Sequence, residues 1–198
     1  TTEYELTVRS LGGGCMNRDS VLVTASIIDS SLLLIGKSLF CVTSGDSALL
    51  LVQPTDSIQW YLNNSAIFGA NQTNYRVGQT GNYMARLFTN EGCDLGTRTE
   101  RVVIETPRPA ILYPLQYAII DNAVELQARS FGATYLWKPP TYLEDPSTMK
   151  PIFNSPLIEE KSYTIDITTA AGCLTVDTQI VKTLKEVKIY VPTAFTPN

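Results

Sequence analysis

The sequence predicts an all-β chain of tandem antiparallel β-sandwiches, and three observations favour this fold class. Apolar and polar residues alternate along most segments, as in residues 123–128 and 162–168, which indicates strands with one buried face. Turn-forming residues lie between these segments, for example at 78–81 and 90–92. No segment of ten residues or more has a convincing helical period. Many short strands with closely spaced turns are typical of β-sandwiches.

A motif that occurs three times indicates how the chain is divided. In each copy a tyrosine opens an alternating strand, a turn follows, and a Gly-Cys pair comes before the next strand. The tyrosine and cysteine of the three copies are Tyr4 and Cys15, Tyr83 and Cys93, and Tyr163 and Cys173. Recurrence at about 80 residues, the size of a domain, predicts a series of similar modules. Repeated modules of this kind more often serve as structural supports, spacers or binding domains than as enzymes.

The repeat predicts four regions. Residues 1–25 contain the last two strands of a preceding module, and we expect their missing partners upstream or in another chain, because an isolated hairpin is marginal in water. Residues 26–105 form the first complete β-sandwich and residues 106–185 the second. Two prolines at 107 and 109 break the strand pattern and place a boundary there. Residues 186–198 begin a further domain.

The core strands of the two complete modules follow from alternation and from the turn residues that bound them. In the first module the predicted strands cover residues 48–52, 57–62, 82–88 and 96–104. In the second they cover residues 123–128, 133–137, 162–168 and 174–181.

Composition restricts the classes of partner. Charged residues make up 17% of the chain and hydrophobic ones 44%, so it has ample apolar material for packed cores. The net charge is -4 and the basic residues are scattered, which argues against nucleic acid as a partner. No apolar run approaches the ~20 residues that span a bilayer, so we expect no membrane span. The start of the chain has no recognisable secretion leader.

The cysteines predict a disulfide framework, since none of them has the spacing of a metal or redox site. Cys41 and Cys93 lie in one predicted module, and we expect a disulfide between them. It would close a loop of roughly 50 residues and contribute ~3 to 4 kcal/mol. The alternative is two free thiols, because sequence does not fix the geometry. Cys15 and Cys173 have no evident partner, and we expect both to be unpaired.

The aromatic residues have a structural and a functional interpretation. Trp60 and Trp137 occupy equivalent strands of the two modules, which favours a central core position in each sandwich. Tyr83 and Tyr163, which open the repeated motif, are predicted to be core aromatics as well. The alternative is that both tryptophans are platforms on which sugars stack.

Catalysis finds little support in the sequence. The chain contains no histidine, which excludes Ser-His-Asp relays and histidine metal sites. The adjacent acids at 144–145 and 159–160 are typical of solvated loops, and no calcium-binding loop motif occurs. We therefore predict a non-enzymatic chain with no catalytic residue, no cofactor and no bound metal.

Particular residues also carry a resemblance to known families. Residues 57–64, with Tyr75 and residues 81–83, resemble the Ig-like repeats of very large exported proteins of Bacteroidota. Residues 133–146 and 162–165, with the Gly-Cys pair at 172–173, are similar to the PKD-like repeats found beside them. The terminal residues 191–198 resemble the start of the gliding-motility-associated C-terminal domain, a type B sorting domain. The residues that carry this terminal match include Val191, Pro192, Phe195 and Pro197.

The resemblance implies a cargo of the type IX secretion system, placed outside the cell or on the outer-membrane surface. Its partners would be the secretion machinery, acting through the adjoining sorting domain, and surface polysaccharide or other cell-surface proteins. The implied function is the stalk of a large adhesin of gliding bacteria, which presents a distal binding region. The alternative is a spacer or carbohydrate-binding accessory of a secreted hydrolase. Three Asp-Ser pairs also resemble an O-glycosylation pattern of exported Bacteroidota proteins, at Ser20, Ser47 and Ser57.

Overall fold

The computed structural model describes residues 1–25 and 27–186, and within them the chain is all-β. The predicted fold class is confirmed. Within these residues no helix has the length and apolarity needed to cross a membrane. The predicted sorting-domain start, with Val191, Pro192, Phe195 and Pro197, lies outside the described residues.

The described residues form eighteen strands, most of them short. Those before residue 106 are β1 (Thr2–Arg9), β2 (Met16–Val23), β3 (Leu32–Gly36), β4 (Leu39–Cys41), β5 (Ala48–Val52), β6 (Ser57–Leu62), β7 (Ser65–Ala66), β8 (Asn74–Arg76), β9 (Gly81–Phe88), β10 (Asp94–Gly96) and β11 (Glu100–Glu105). Those after it are β12 (Gln116–Ile119), β13 (Val124–Glu125), β14 (Thr134–Lys138), β15 (Leu143–Glu144), β16 (Ile152–Phe153), β17 (Glu160–Thr168) and β18 (Leu174–Leu184).

The contacts between residues divide the chain into two compact units, and each unit consists of three segments that are not contiguous in the sequence. Of the described residues, the first unit contains 1–25, 27–34, 50–75 and 82–100. The second contains residues 35–49, 76–81 and 101–186. The boundaries at 25, 105 and 185 expected from the repeat stay a prediction.

Antiparallel strand pairs make up the first unit, and two of them are long enough to describe its core. β1 and β2 form a hairpin in which Thr2 lies opposite Val23 and Arg9 opposite Met16. β6 pairs with β9, which places Trp60 opposite Ala85. The Trp60 and Tyr83 side chains are fully buried, and the ring of Tyr75 lies between them at centroid distances of 5.8 and 5.7 Å. These three aromatic rings form the centre of the core of this unit.

The second unit contains a four-stranded sheet in the order β12, β18, β17, β14 and a three-stranded sheet in the order β13, β16, β15. Trp137 and Tyr163 point into the core from the larger sheet, and Phe153 comes from the smaller one. The ring of Tyr163 meets the rings of Trp137 and Phe153 edge to face, at centroid distances of 6.3 and 6.2 Å. This arrangement is favourable for aromatic rings because a positive ring edge meets a negative ring face.

Two strand pairs depart from the expected antiparallel pattern. β4 pairs in parallel with β11, and Cys41 lies opposite Glu105 in this register. β12 pairs in parallel with β18, and Ile119 lies opposite Leu184. In both cases a short strand lies beside a longer one that comes later in the sequence. Alternation does not distinguish parallel from antiparallel pairing, so the sequence alone could not show these two pairs.

Two predicted strands were too long. The segment 123–128 is a strand only at Val124–Glu125, because it runs beside Pro151, which has no backbone N–H to donate. The segment 96–104 is interrupted at Thr97, whose hydroxyl accepts a hydrogen bond from the Ala85 N–H and donates to the Arg98 carbonyl. The hydroxyl of Thr97, and not a backbone carbonyl, is therefore the acceptor for the Ala85 N–H at this position.

Candidate functional site

A disulfide between Cys41 and Cys173 connects two residues that are 132 positions apart in the sequence. Their Cα atoms are 5.0 Å apart, and both residues are fully buried within the second unit. Cys41 ends β4, and Cys173 follows the turn between β17 and β18. The bond therefore joins residue 41 of the first predicted module to residue 173 of the second.

This finding corrects the disulfide predicted from the sequence. The predicted Cys41–Cys93 pairing is wrong, and so is the expectation that Cys173 is unpaired, whereas Cys15 and Cys93 are free and exposed. The cause is the parallel register of β4, which places Cys41 beside Glu105, where the chain enters the second predicted module. At that position Cys41 meets the turn that carries Cys173.

The turn that presents Cys173 is closed by three hydrogen bonds to or from Thr169. The Thr169 N–H donates to the Cys173 carbonyl (2.9 Å), and the Gly172 N–H donates to the Thr169 carbonyl (2.9 Å). The Cys173 N–H donates to the Thr169 hydroxyl (3.2 Å). Gly172 has a φ of 82°, a conformation that favours glycine. The turn thus holds Cys173 in place through its own backbone.

Residues 106–115, which we call the strap, run along β18 instead of forming a free linker. The Thr178 N–H donates to the Ile111 carbonyl (2.9 Å), and the Tyr113 N–H donates to the Thr178 carbonyl (2.8 Å). The isolated parallel bridge between Leu112 and Thr178 lies at the same place. The prolines at 107 and 109 do stop a regular strand, but the strap is ordered by β18.

Asp177 is the centre of the contact between the strap and β18. Its side chain is fully buried and accepts two hydrogen bonds from the Arg129 guanidinium, at 2.7 and 2.8 Å. It also accepts hydrogen bonds from the Ile111 N–H (3.0 Å) and the Tyr113 hydroxyl (3.3 Å). Arg129 donates further to the Pro109 carbonyl (2.9 Å). A buried carboxylate needs such a set of donors to offset the loss of water.

The electrostatic consequences follow from this geometry. The hydrogen bonds to Asp177, and its negative charge, raise the pKa of Arg129 further above its usual value. Burial raises the pKa of Tyr113, although the hydrogen bond from the Arg129 N–H to the Tyr113 hydroxyl (2.7 Å) acts in the opposite direction. Both groups therefore keep their protons at neutral pH, Arg129 as a cation and Tyr113 as a hydrogen-bond donor.

The ring of Phe131 is close to the guanidinium groups of both Arg108 and Arg129. The guanidinium carbon of Arg108 is 4.3 Å from the ring centroid, and that of Arg129 is 4.9 Å from it. Both distances are within the range of cation–π attraction. The strap residue Arg108 is thus held to the same part of the sheet as the ion pair.

Sequence analysis did not identify Asp177 or Arg129, although β18 contains a signal. In this strand the apolar Leu174 and Val176 are exposed, whereas Thr175, Asp177 and Gln179 are buried. The buried polar side chains contact the strap, since Thr175 donates to the Arg108 carbonyl (3.3 Å) and Gln179 to the Pro114 carbonyl (2.9 Å). Polar residues at three alternate positions of a predicted strand are the pattern that could have indicated a covering segment such as the strap.

The four predicted core aromatics are Trp60, Trp137, Tyr83 and Tyr163, and the structure places each at 0% exposure. The indole N–H of Trp60 donates to the Gln72 carbonyl (2.8 Å), and that of Trp137 donates to the Thr148 carbonyl (3.0 Å). Neither indole presents a face on which a sugar could stack. The equivalent tyrosine of the first hairpin, Tyr4, is 58% exposed.

Tyr163 gives a prediction for alkaline pH. Burial, with the nearby charge of Glu159, raises its pKa well above the usual value near 10. The unfolded chain then loses this proton at a lower pH than the folded chain, so the stabilisation is complete below about pH 10 and is lost above it. We expect urea denaturation to show that the Tyr163→Phe variant loses up to about 1.4 kcal/mol less per pH unit than the parent above that pH.

The same variant loses the hydrogen bond from the Tyr163 hydroxyl to the Thr141 carbonyl (2.7 Å), which costs about 1 kcal/mol at neutral pH. Tyr117 is 55% exposed, and Tyr117→Phe is the matched control, with no change expected in either quantity. Equal pH dependence in Tyr163→Phe and the parent would contradict the role of Tyr163 burial.

The three serines of the Asp-Ser pairs are accessible. Ser20, Ser47 and Ser57 are exposed, and the Ser20 N–H donates to the Asp19 carboxylate (3.0 Å). Exposure is a requirement for attachment of a glycan but does not show it. O-glycosylation at these positions stays a prediction.

Comparisons with known proteins give similarities of structure alone. No protein-family model matches the sequence, and no curated protein matches it. Immunoglobulin domains 1–4 of Sidekick-1 align over 82% of this chain and 45% of theirs, with 9% identity and a TM-score of 0.38. This chain thus spans less than half of that structure.

Two further solved structures have comparable similarity. The fibronectin(III)-like modules of Clostridium thermocellum CbhA cover 81% of this chain and 99% of theirs, with 10% identity and a TM-score of 0.36. The other is a structure from a 1.5-MDa bacterial ice-binding adhesin, which was solved to explain host cell surface retention of that adhesin. It aligns over 91% of this chain and 73% of its own, with 12% identity and a TM-score of 0.35.

Proposed function

We propose that the chain is a non-enzymatic stalk region of a large cell-surface adhesin exported by the type IX secretion system. Its repeats transmit load and present a distal binding region away from the outer membrane. The observation that carries the proposal is the disulfide between Cys41 and Cys173, which connects the first predicted repeat to the second independently of the strap.

The disulfide changes the path along which force travels through the chain. Tension applied at the two ends passes from residue 41 directly to residue 173, because a covalent bond connects them. The intervening residues, which include the strap and most of both predicted repeats, lie outside this path. A stalk with this connection does not lengthen by unfolding the bypassed segment.

The disulfide also supports export. Structural disulfides persist in oxidising compartments and are rare in the cytosol. The bond is fully buried, which slows its reduction by small thiols as long as the chain is folded. Residues 191–198 resemble the start of a type B sorting domain, which supports export across the outer membrane by the type IX secretion system. The same resemblance supports a role in gliding motility.

Stretching single molecules from their ends tests the load-bearing role. A residue adds about 3.3 to 3.6 Å when extended, so the segment of 132 residues adds about 440 to 480 Å of contour length once the disulfide is reduced. We expect this increment only in reducing buffer for the parent chain. A variant with serine at both Cys41 and Cys173 should show it in either buffer. The same full length in oxidised and reduced parent would contradict the proposal.

The export part of the proposal has its own test. In the source organism we expect the protein to be accessible to protease added outside the cell, and inaccessible when the type IX machinery is inactivated. Accessibility that does not depend on this machinery would contradict that route.

The alternative, an accessory of a secreted hydrolase, differs in the length and content of the parent polypeptide. A catalytic domain in the same polypeptide would favour the hydrolase, whereas many further repeats would favour the adhesin. Binding of this chain to a polysaccharide array would also favour the accessory role.

A further inference from the structure

Two cavities of the second unit share the side chains of Arg108 and Phe131 as part of their lining. The first cavity has a volume of about 480 Å³ and the second a volume of about 510 Å³. Both volumes are within the range of about 300 to 1,000 Å³ that is typical of ligand sites. We call the two cavities together the strap groove, because Arg108 belongs to the strap.

Arg108 gives the strap groove a positive charge that is not compensated. Its side chain is exposed, and within the described part of the chain its guanidinium N–H groups have no acceptor. Arg129 also lines the first cavity, but Asp177 neutralises its charge. A guanidinium group binds a carboxylate through two parallel hydrogen bonds. A carboxylate is therefore the group that the first cavity fits best.

The backbone around the strap groove is held in place without a ligand. The Arg108 carbonyl accepts a hydrogen bond from the Thr175 hydroxyl (3.3 Å). The Tyr135 hydroxyl accepts a hydrogen bond from the Gly132 N–H (3.1 Å) and donates to the Arg129 carbonyl (3.2 Å). These bonds fix the loop that carries the Phe131 ring, over which the Arg108 guanidinium lies. A ligand thus has few groups to order, and such preorganisation favours binding.

The two cavities differ in the ligand groups that they favour. Glu105 lines the second cavity and not the first, so its charge disfavours a carboxylate in the second. Ile104 and Ala170 also line the second cavity, and they suit a small apolar side chain. In an extended peptide the side chains of residues i and i+2 point to the same side. An acidic residue and an apolar residue two positions later therefore match the two cavities.

We propose that the strap groove binds an extended acidic segment of a protein partner. The carboxylate of this segment pairs with Arg108 in the first cavity, and an apolar side chain enters the second. Arginine and aromatic residues are frequent at the centre of protein interfaces. A sugar would need an open aromatic face, whereas the Arg108 guanidinium lies over the Phe131 ring. This inference goes beyond the stalk role, because it gives the second unit a partner of its own.

A titration followed by NMR tests the inference on the whole chain. The probe is the blocked peptide acetyl-Glu-Ala-Val-amide, and its uncharged match is acetyl-Gln-Ala-Val-amide. We expect saturable shifts of the Arg108 side-chain Nε–H and of the Phe131 backbone N–H with the acidic peptide. The uncharged peptide should bind about tenfold more weakly or less, because it lacks the charge-assisted pair.

Two arginine variants locate the binding site. Arg108→Ala should weaken binding of the acidic peptide by about tenfold or more. Arg101→Ala removes the same charge from an exposed position of β11 that lines neither cavity, and binding should stay within about twofold of the parent. The circular dichroism spectra of both variants should match that of the parent, since neither side chain is buried.

Three results would overturn the inference. The first is that the acidic peptide does not bind, or binds no more tightly than its uncharged match. The second is an equal loss of affinity in Arg108→Ala and Arg101→Ala. The third is binding of glucuronate as tight as that of the acidic peptide, which would assign the groove to an acidic sugar. The load-bearing role of the disulfide does not depend on any of these results.

Discussion

Replacing both Cys41 and Cys173 by serine is expected to lower the free energy of unfolding by about 3 to 5 kcal/mol. The bond closes a segment of 132 residues, and a long closed loop restricts the unfolded chain strongly. The two serines also place hydroxyl groups where both sulfurs are fully buried, which adds to the loss. Urea denaturation in non-reducing buffer measures the difference.

The matched control for this prediction is Cys93→Ser. Cys93 is an exposed, unbonded cysteine in a turn of the same geometry, so we expect a change of about 0.5 kcal/mol or less. Reduction of the parent chain should reproduce the effect of the double variant. An equal stability of the double variant and Cys93→Ser would show that the bond contributes nothing.

Replacing Asp177 by alanine is expected to lower the free energy of unfolding by about 3 kcal/mol, at the lower end of the range for a broken buried ion pair. The change leaves the Ile111 N–H without its acceptor and the Arg129 guanidinium without its counter-charge. The lower value follows from the 26% exposure of the Arg129 side chain, which allows water to replace part of the loss. Asp177→Asn keeps the shape and removes the charge, and its effect should be intermediate.

The matched control is Asp166→Ala on the neighbouring strand β17. Asp166 forms an ion pair with Lys138, whose side chain is 52% exposed, and such surface pairs contribute about 0 to 1 kcal/mol. Chemical denaturation of the two alanine variants under the same conditions gives the comparison. If Asp177→Ala costs no more than Asp166→Ala, the strap is not held by this ion pair.

The fold class was predictable because its signal is local. Alternation fixed the bounds of β6 at residues 57–62 and placed Trp60 on the face that packs inward. The repeated tyrosine placed Tyr83 and Tyr163 at equivalent starts of long strands, and both are buried. These features depend on neighbours within a few residues, which a sequence shows directly.

The disulfide partner was not predictable because it depends on contacts that are distant in sequence. The expected Cys41–Cys93 pair follows from assigning each cysteine to its own module. The parallel register of β4 with β11 places Cys41 beside Glu105 instead, at the predicted boundary with the second module. Nothing in three apolar residues at 39–41 specifies that register.

The burial of Asp177 was missed for a related reason. Apolar and polar residues alternate at the start of β18, so one face of this strand is apolar and the other polar. A sequence pattern of this kind normally predicts that the apolar face is buried. The strap covers the polar face because its backbone carbonyls at Arg108 and Pro114 need donors, which Thr175 and Gln179 supply. The strap, which contains the boundary predicted from the prolines at 107 and 109, therefore determines which face of β18 is buried.

The most direct test of the central claim is the disulfide map of the purified chain. In an unreduced tryptic digest, Cys41 lies in the peptide of residues 38–76 and Cys173 in the peptide of residues 162–182. The structure predicts that these two peptides are linked to each other and separate on reduction. A link from residues 38–76 to residues 87–98, the peptide that contains Cys93, would contradict the covalent connection between Cys41 and Cys173.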